Sequence, residues 1–241
     1  MKHIHLDETT STNSAIIQFE HDAPVYLTAT SQTSGRGQRG NSWESEPGKN
    51  VTMSILVTPR HVNARNQFAI SRAVAVAITD VINPSLATVN KQAAIKWPND
   101  IYVDNYKVAG ILIENALGGD SIIRSIIGIG LNVNQTSFVS NAPNPLSLAS
   151  ITGRELDIDN IAEMIATRVV ELIEAIDNPG SYNSIYHSRL WRRDGEWRFV
   201  DTASGKEFTA GIDHVANDGC LHLETDSELR QYYFKEVAFI L

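Results

Sequence analysis

The chain has 241 residues, 42% of them hydrophobic, and a net charge of −8 with a pI near 5.3. That length buries a substantial core, while the acidic balance argues against broad nucleic-acid binding. The single cysteine, Cys220, excludes an intrachain disulfide; no stretch approaches the roughly 18 uninterrupted apolar residues that span a membrane, and the opening MKHIHLDETT lacks a basic-then-apolar leader, so the expected location is cytoplasmic.

In chain order, a helix is predicted to begin near Ser11, where Ser, Thr and Asn precede Ala15, Ile16, Ile17 and Phe19. Short β-rich stretches follow at 25–30, 51–57, 94–96, 101–103, 107–114 and 122–129, enough for one sheet. Between Arg65 and Ile82, apolar residues from Phe68 to Val81 recur at helical spacing, and Asn83-Pro84 is expected to end that helix. A second helix is predicted over 158–176, beginning after Asp157 or Asp159 and stopping before Asn178-Pro179-Gly180. Asp104-Asn105 reads as a tight hairpin turn. After about residue 192 the character changes to strand-like stretches at 197–200, 207–215, 221–225 and 230–234 separated by SG, NDG and other turn signals, a spacing that suggests a small barrel. The expected class is mixed α/β, a mixed sheet flanked by helices, with a domain over 1–192 and a small barrel over 193–241.

The run QTSGRGQRGNSW at 32–43 holds Arg36 and Arg39 and no acid. Glycines 35, 37 and 40 permit tight turns and close ligand approach, and guanidinium groups supply fixed charge and forked donors, so the loop suits an anion. GRGQRG matches the dinucleotide-binding spelling GxGxxG, yet Pro47-Gly48 and a β-rich stretch follow where a helix is required. The same glycines fit the start of a phosphate-binding GxxxxGK[ST] loop, but Asn41 stands at the lysine position.

Downstream come Lys96-Trp97-Pro98-Asn99-Asp100, then Lys107 in DNYKVAGILIE, then GIGLNVN at 128–134. Together with Ser11-Thr12-Asn13 and the loop at 35–40, these segments resemble, in order, the STN, GRGxxG, KWPND, KxAGIL and GxGxN pattern of biotin protein ligases. The stretch FTAGIDHVANDGCLHLET resembles that family's SH3-like tail, and the main body is then expected to resemble the class II aminoacyl-tRNA synthetase-like ligase core. The helix-turn-helix that some members carry is missing before the first motif, so DNA binding is not expected.

The resemblance implies an enzyme that condenses biotin with ATP to biotinyl-5'-AMP and passes the biotinyl group to a lysine of a carboxylase's biotin carrier domain. The two reactants are anions that must be held in line, and Arg36, Arg39 and Lys107, with Mg²⁺ on the phosphates, would offset their repulsion. The implied biotin contacts are Ser11, Thr12, Asn13, Gln32, Gly35, Arg36, Gly37, Gln38, Lys107 and Gly110. The implied nucleotide contacts are Arg36, Arg39, Trp43, Lys107 and Asn132, the last following what reads as a Gly128-Ile129-Gly130 turn. Arg36, Lys107 and Asp100 are the expected catalytic groups, with Asp100 receiving the incoming lysine and Lys96 as its ion-pair partner. Helix capping is an equal reading for each of Ser11 to Asn13. Trp43 could pack as a lid when residues 35–48 order over ligand. Many family members carry arginine where this chain has Gln38, which can donate a hydrogen bond but not neutralise charge.

The seven histidines show no metal-ligand spacing, and His3 and His5 alternate as in a strand, so no protein-held metal is expected. Arg189, Arg192, Arg193 and Arg198 read as a solvated face, with an acidic carrier as the other reading. Competing functions are a lipoate or octanoate ligase, which GRGQRG followed by KWPND disfavours, and a biotin sensor without catalysis. A homodimer through a sheet edge is left open.

Overall fold

The structure, a computed structural model, describes residues 1–139, 144–177 and 180–240. Seven strands form the larger sheet: β1 (Lys2–Thr9), β2 (Val25–Gln32), β3 (Val51–Val57), β4 (Ala93–Lys96), β5 (Asp100–Val103), β6 (Tyr106–Gly118) and β7 (Ser121–Leu131). Their order is β1-β2-β3-β7-β6-β5-β4; only β1 and β2 run parallel. β3, VTMSILV, is buried along its whole length, as expected for a strand covered on both faces. The short helix α1 (Thr12–Ala15) and a 3₁₀ extension cover one face, where Ile16, Val25, Leu27, Leu56 and Ile126 pack together.

The other face carries α2 (Phe68–Ala87) and α4 (Ile158–Glu174), with α3 (Leu148–Thr152) between them in sequence. Ile161, Ile165, Val169, Leu172 and Ile173 give α4 the apolar stripe that packs on α2 and β3, and the Asp157 carboxylate caps it by accepting from Asn160 N at 3.0 Å. By length and composition alone the stretch Ala64–Ala87 could cross a membrane, but most of it is buried in this core. The predicted stop at Asn83-Pro84 is wrong: α2 runs through Pro84 to Ala87. Only one further turn follows the proline, and fully buried Leu86 holds that turn against the core, which offsets the lost hydrogen bond. The 158–176 helix ends at Glu174, and the stop signal Asn178-Pro179 lies outside the described residues. Two helices, α3 and α5 (Gly180–Ser188), and the strand β1 come in addition to the expected elements, β1 being signalled only by the His3/His5 alternation.

The tail forms a separate five-stranded antiparallel sheet that fits an SH3-like barrel: β8 (Trp197–Asp201), β9 (Glu207–Val215), β10 (Leu221–Glu224), β11 (Leu229–Tyr232) and β12 (Val237–Phe239), ordered β11-β10-β9-β8-β12. Four strands were predicted; three-residue β12 is too short to show periodicity. The arginine cluster is largely absorbed by packing: Arg189 pairs with Asp80 at 2.6 Å, Arg192 stacks on Trp191 and Trp197, and Arg198 pairs with Glu207.

Buried Arg72 of α2 ties the tail to the main body. Its guanidinium donates to the carbonyls of Val215 and Ala216 at 2.7 and 2.6 Å and to Asn183 Oδ1 and Asn217 Oδ1 at 3.0 and 3.2 Å. Trp97 Nε1 donates to Gly219 O at 2.9 Å beside this anchor. Replacing Arg72 with leucine strands these buried carbonyls, so the expected loss is about 3 kcal/mol of unfolding free energy. Urea denaturation measures it; a loss within the scatter of surface substitutions would contradict the anchoring role.

Candidate active site

Cross-strand register explains how distant motifs share one face. Thr52 lies opposite Gly130, Gly130 opposite Gly110, and Gly110 opposite Asp100; the next row is Ser54, Gly128 and Leu112. Directly opposed residues point to the same face, so three glycines pave the middle of a surface rimmed by polar groups. Lys107 should face away from Gly110, since the two stand an odd three positions apart, but Ile101 pairs with Ala109 and Tyr102 with Lys107, leaving Val108 as an extra residue. This bulge brings Lys107 round to the glycine face, where its Nζ lies 2.7 Å from Asp100 Oδ1.

Gly128-Ile129-Gly130 is therefore not a turn but the interior of β7, a correction to the sequence reading. The glycines are needed for space. A Cβ at Gly128 would lie 2.4 Å from Asn13 Oδ1, and one at Gly130 2.2 Å from the Trp43 ring; at Gly110 the distance to that ring is 2.9 Å.

The GRGQRG loop folds as a miniature hairpin. Trp43 N donates to Gly35 O at 2.9 Å, Arg36 bridges Ser42, and Gly37 N donates to Asn41 O at 2.7 Å, while Gly40 turns the chain at φ 87°. The fold of this loop lays the Trp43 indole on the glycine pavement with Nε1 buried and without a hydrogen-bond partner among the described residues. Lys107 Nζ sits 5.7 Å from the centre of the Trp43 ring. Arg36 reaches Ser14 Oγ at 3.2 Å and Glu114 Oε2 at 3.4 Å; both members of that ion pair are nearly half exposed, so it is weak.

Between loop, α1 and sheet lies a cavity of about 250 Å³. Ser11, Thr12, Asn13 and Gln32 line one side; Arg36, Gly37, Gln38 and Trp43 the loop side; Asp100, Lys107 and Gly110 the far side. Ser11 holds the N-cap position of α1 but its side chain makes no capping bond, which removes the capping reading for that residue. Buried Asn13 is fixed at both ends: Nδ2 donates to Glu114 Oε2 at 2.7 Å, and Ser54 Oγ lies 2.5 Å from Oδ1. Thr12 N donates to Gln32 Oε1 at 2.8 Å. The structure adds Ser54, Glu114, Asn99 and Phe234 to what sequence reasoning found. No local signal marks the first two, which join the site only through their long-range contacts with Asn13.

One expected nucleotide contact stands elsewhere. Asn132 follows β7, is buried, and donates from Nδ2 to Leu146 O at 3.3 Å; it does not line this cavity, and its Oδ1 has no partner among the described residues. The Arg39 side chain lies outside the described residues. Lys96 does not pair with Asp100 as anticipated. Its Nζ sits among Tyr102, Trp191 and Phe239, 4.6, 5.7 and 5.8 Å from the ring centres, and contacts Tyr102 Oη at 3.1 Å, because Lys107 already holds the carboxylate. Desolvation lowers the Lys96 pKa, Asp100 partly opposing it.

Residues 4–132 match the family model for the biotin/lipoate A/B protein ligase family, and the chain belongs to that family. The bifunctional ligase/repressor of Bacillus spizizenii is 32% identical over 67% of this chain and 50% of its own length, so the chain spans about half of that relative. A biotin–[acetyl-CoA-carboxylase] ligase of Paracoccus denitrificans is 27% identical, covering 73% of this chain and 74% of that one. The fold matches a biotin protein ligase from Aquifex aeolicus solved with biotin and ATP, at a TM-score of 0.80 and 22% identity over 98% of this chain and 97% of that one.

Because Asn13 is pinned by Ser54 and Glu114, a methyl at position 128 cannot be absorbed by a rotamer change. Gly128→Ala is expected to cost about 1–3 kcal/mol of unfolding free energy, the scale of overpacking a filled site, while the fold survives. Urea denaturation measures this; unchanged stability would show that the Asn13 position is not fixed.

Proposed function

We propose that this protein is a biotin protein ligase: it activates biotin with Mg-ATP as biotinyl-5'-AMP, releases pyrophosphate, and transfers the biotinyl group to a lysine of a carboxylase's biotin carrier domain. The observation that carries the reading is the shared hollow of Arg36, Lys107 and Asp100 over the glycine face, with the matching family members in support. We assign Ser11, Thr12, Asn13 and Gln32 to the biotin head, Gly35, Gly37, Gln38 and Gly110 to its path, and Trp43, Arg39 and Asn132 to the nucleotide. A division at residues 192 and 193, a carrier met in the cytoplasm, and closure of the 35–48 loop over ligand belong to the same reading.

The cations start out paired with carboxylates. An arriving biotin carboxylate and the ATP triphosphate together offer Arg36 and Lys107 more negative charge than Glu114 and Asp100 do, so the first step is expected to draw both away from their partners. Attack of the biotin oxygen on the α-phosphorus then expels pyrophosphate, with the cations offsetting charge that builds in the transition state. Once Lys107 has turned to the adenylate, Asp100 is left to accept a proton from the incoming lysine ammonium, freeing the amine for attack on the acyl carbon and loss of AMP.

Incubation with labelled biotin, Mg-ATP and a carrier domain should label the carrier lysine only when every component is present; label appearing without ATP would refute the reaction class. Lys107→Ala should slow adenylate formation by about 10²- to 10³-fold, as for other preorganised charge-stabilising donors. Asp100→Asn should slow transfer more than adenylation, read by single-turnover assay of each half-reaction, and equal losses would refute the division of labour. Gln38, whose Oε1 is buried without a partner among the described residues, supplies no charge to the adenylate. Gln38→Arg is expected to slow release of the intermediate, followed by rapid filtration, and an unchanged rate would remove position 38 from retention.

A further inference from the structure

On the tail sheet, away from the cavity, three potential metal ligands converge. β9 and β10 pair so that His222 lies directly opposite His214, yet the next residue, Leu223, pairs with Ile212, leaving Asp213 as an extra residue on β9. In a regular strand Asp213 and His214 would point to opposite faces; this bulge re-aims one of them, and Asp213 Oδ2 comes to 2.8 Å from His214 Nδ1. The two imidazoles stack with centroids 4.1 Å apart and planes 26° apart. One ligand atom from each of the three residues lies within 4.8 Å of the others. Independently, His222 Nδ1 is buried and has no hydrogen-bond partner among the described residues.

We infer that Asp213, His214 and His222 form a binding site for one first-row transition-metal dication, with zinc as the reference ion. Ligand atoms around a tetrahedral zinc with bonds of about 2.05 Å stand about 3.3 Å apart, so modest side-chain rotation closes the site from its present spacing. Two imidazoles and one carboxylate suit zinc, copper or nickel, whereas magnesium takes oxygen ligands and keeps its water, so this site is distinct from the ion carried by the nucleotide. Asp213 is exposed and both histidines are half-buried, which leaves the fourth coordination position open to water. The ion would bridge β9 and β10. The spacing of eight residues between the histidines carries no metal signature in the sequence; the proximity comes from the hairpin register and the bulge. The pair His3 and His5 is the natural control, because their ring centroids stand 6.4 Å apart and their nitrogens already contact the Thr28 and Thr30 hydroxyls.

The test is titration of the untagged full chain with zinc chloride by calorimetry, alongside thermal unfolding with and without zinc. One equivalent of zinc is expected, with a raised Tm, since a ligand that binds only the folded state stabilises it. His214→Gln and His222→Gln, checked for native circular dichroism, should each weaken binding at least about tenfold and remove the Tm rise, while His3→Ala with His5→Ala should bind as the parent does. Cobalt substitution should give the visible bands of a tetrahedral nitrogen and oxygen site. Absence of zinc binding at micromolar metal, full binding in both glutamine variants, or a cobalt-thiolate band pointing to Cys220 would each overturn the proposal.

Discussion

Everything the site can do follows from what β6 and β7 lack. Gly110, Gly128 and Gly130 leave no side chains over the middle of a buried sheet, and the vacated volume is occupied by the Asn13 amide, the Trp43 ring and the cavity beside them. A packed interior rarely leaves such a hollow, because each absent side chain forfeits contacts and lowers stability. Here the surrounding structure makes up for it: β3 is buried throughout, α2 and α4 cover the opposite face, and Asn13 is held at both ends.

The electrostatic arrangement follows the same geometry. In a chain of net charge −8, the two cations with described side chains at the hollow are each matched to a carboxylate, Arg36 to Glu114 and Lys107 to Asp100. The two pairs differ in kind. Arg36 and Glu114 are 3.4 Å apart and well solvated, so that contact holds the guanidinium near the cavity without committing it. Lys107 and Asp100 are mostly shielded from solvent at 2.7 Å, and their proximity depends on the bulge at Val108. Lys96, one strand over, keeps to its aromatic surroundings and so leaves Asp100 available to Lys107.

Much of this was legible in the residues. β3 and β9 are bounded as the sequence reading drew them, because uninterrupted apolar or alternating runs between turn residues leave little choice of register. The cap at Asp157 and the turn at Asp104, which takes φ 53°, were readable for the same local reasons. What local pattern could not supply was long-range pairing. Pro84 looked like a terminator because the burial of Leu86 is a tertiary fact. Gly128 to Gly130 looked like a turn because glycine marks both turns and close approach, and only the neighbours across the sheet tell these apart. Lys96 and Asp100 are indeed cross-strand partners, yet the bulge gave the carboxylate to Lys107. The convergence of Asp213, His214 and His222 was hidden for the same reason, since a bulge leaves no mark in the spacing of residues along one strand.

The central claim is that the glycine-floored hollow joins a carboxylate to a nucleotide's α-phosphorus. Because formation of an acyl adenylate is reversible, the most direct measurement is incorporation of labelled pyrophosphate into ATP in the presence of each acid and without any carrier domain. The account predicts rapid exchange that depends on biotin and is absent with lipoate. Exchange that is equal with lipoate, or missing with biotin while the protein is folded, would contradict it.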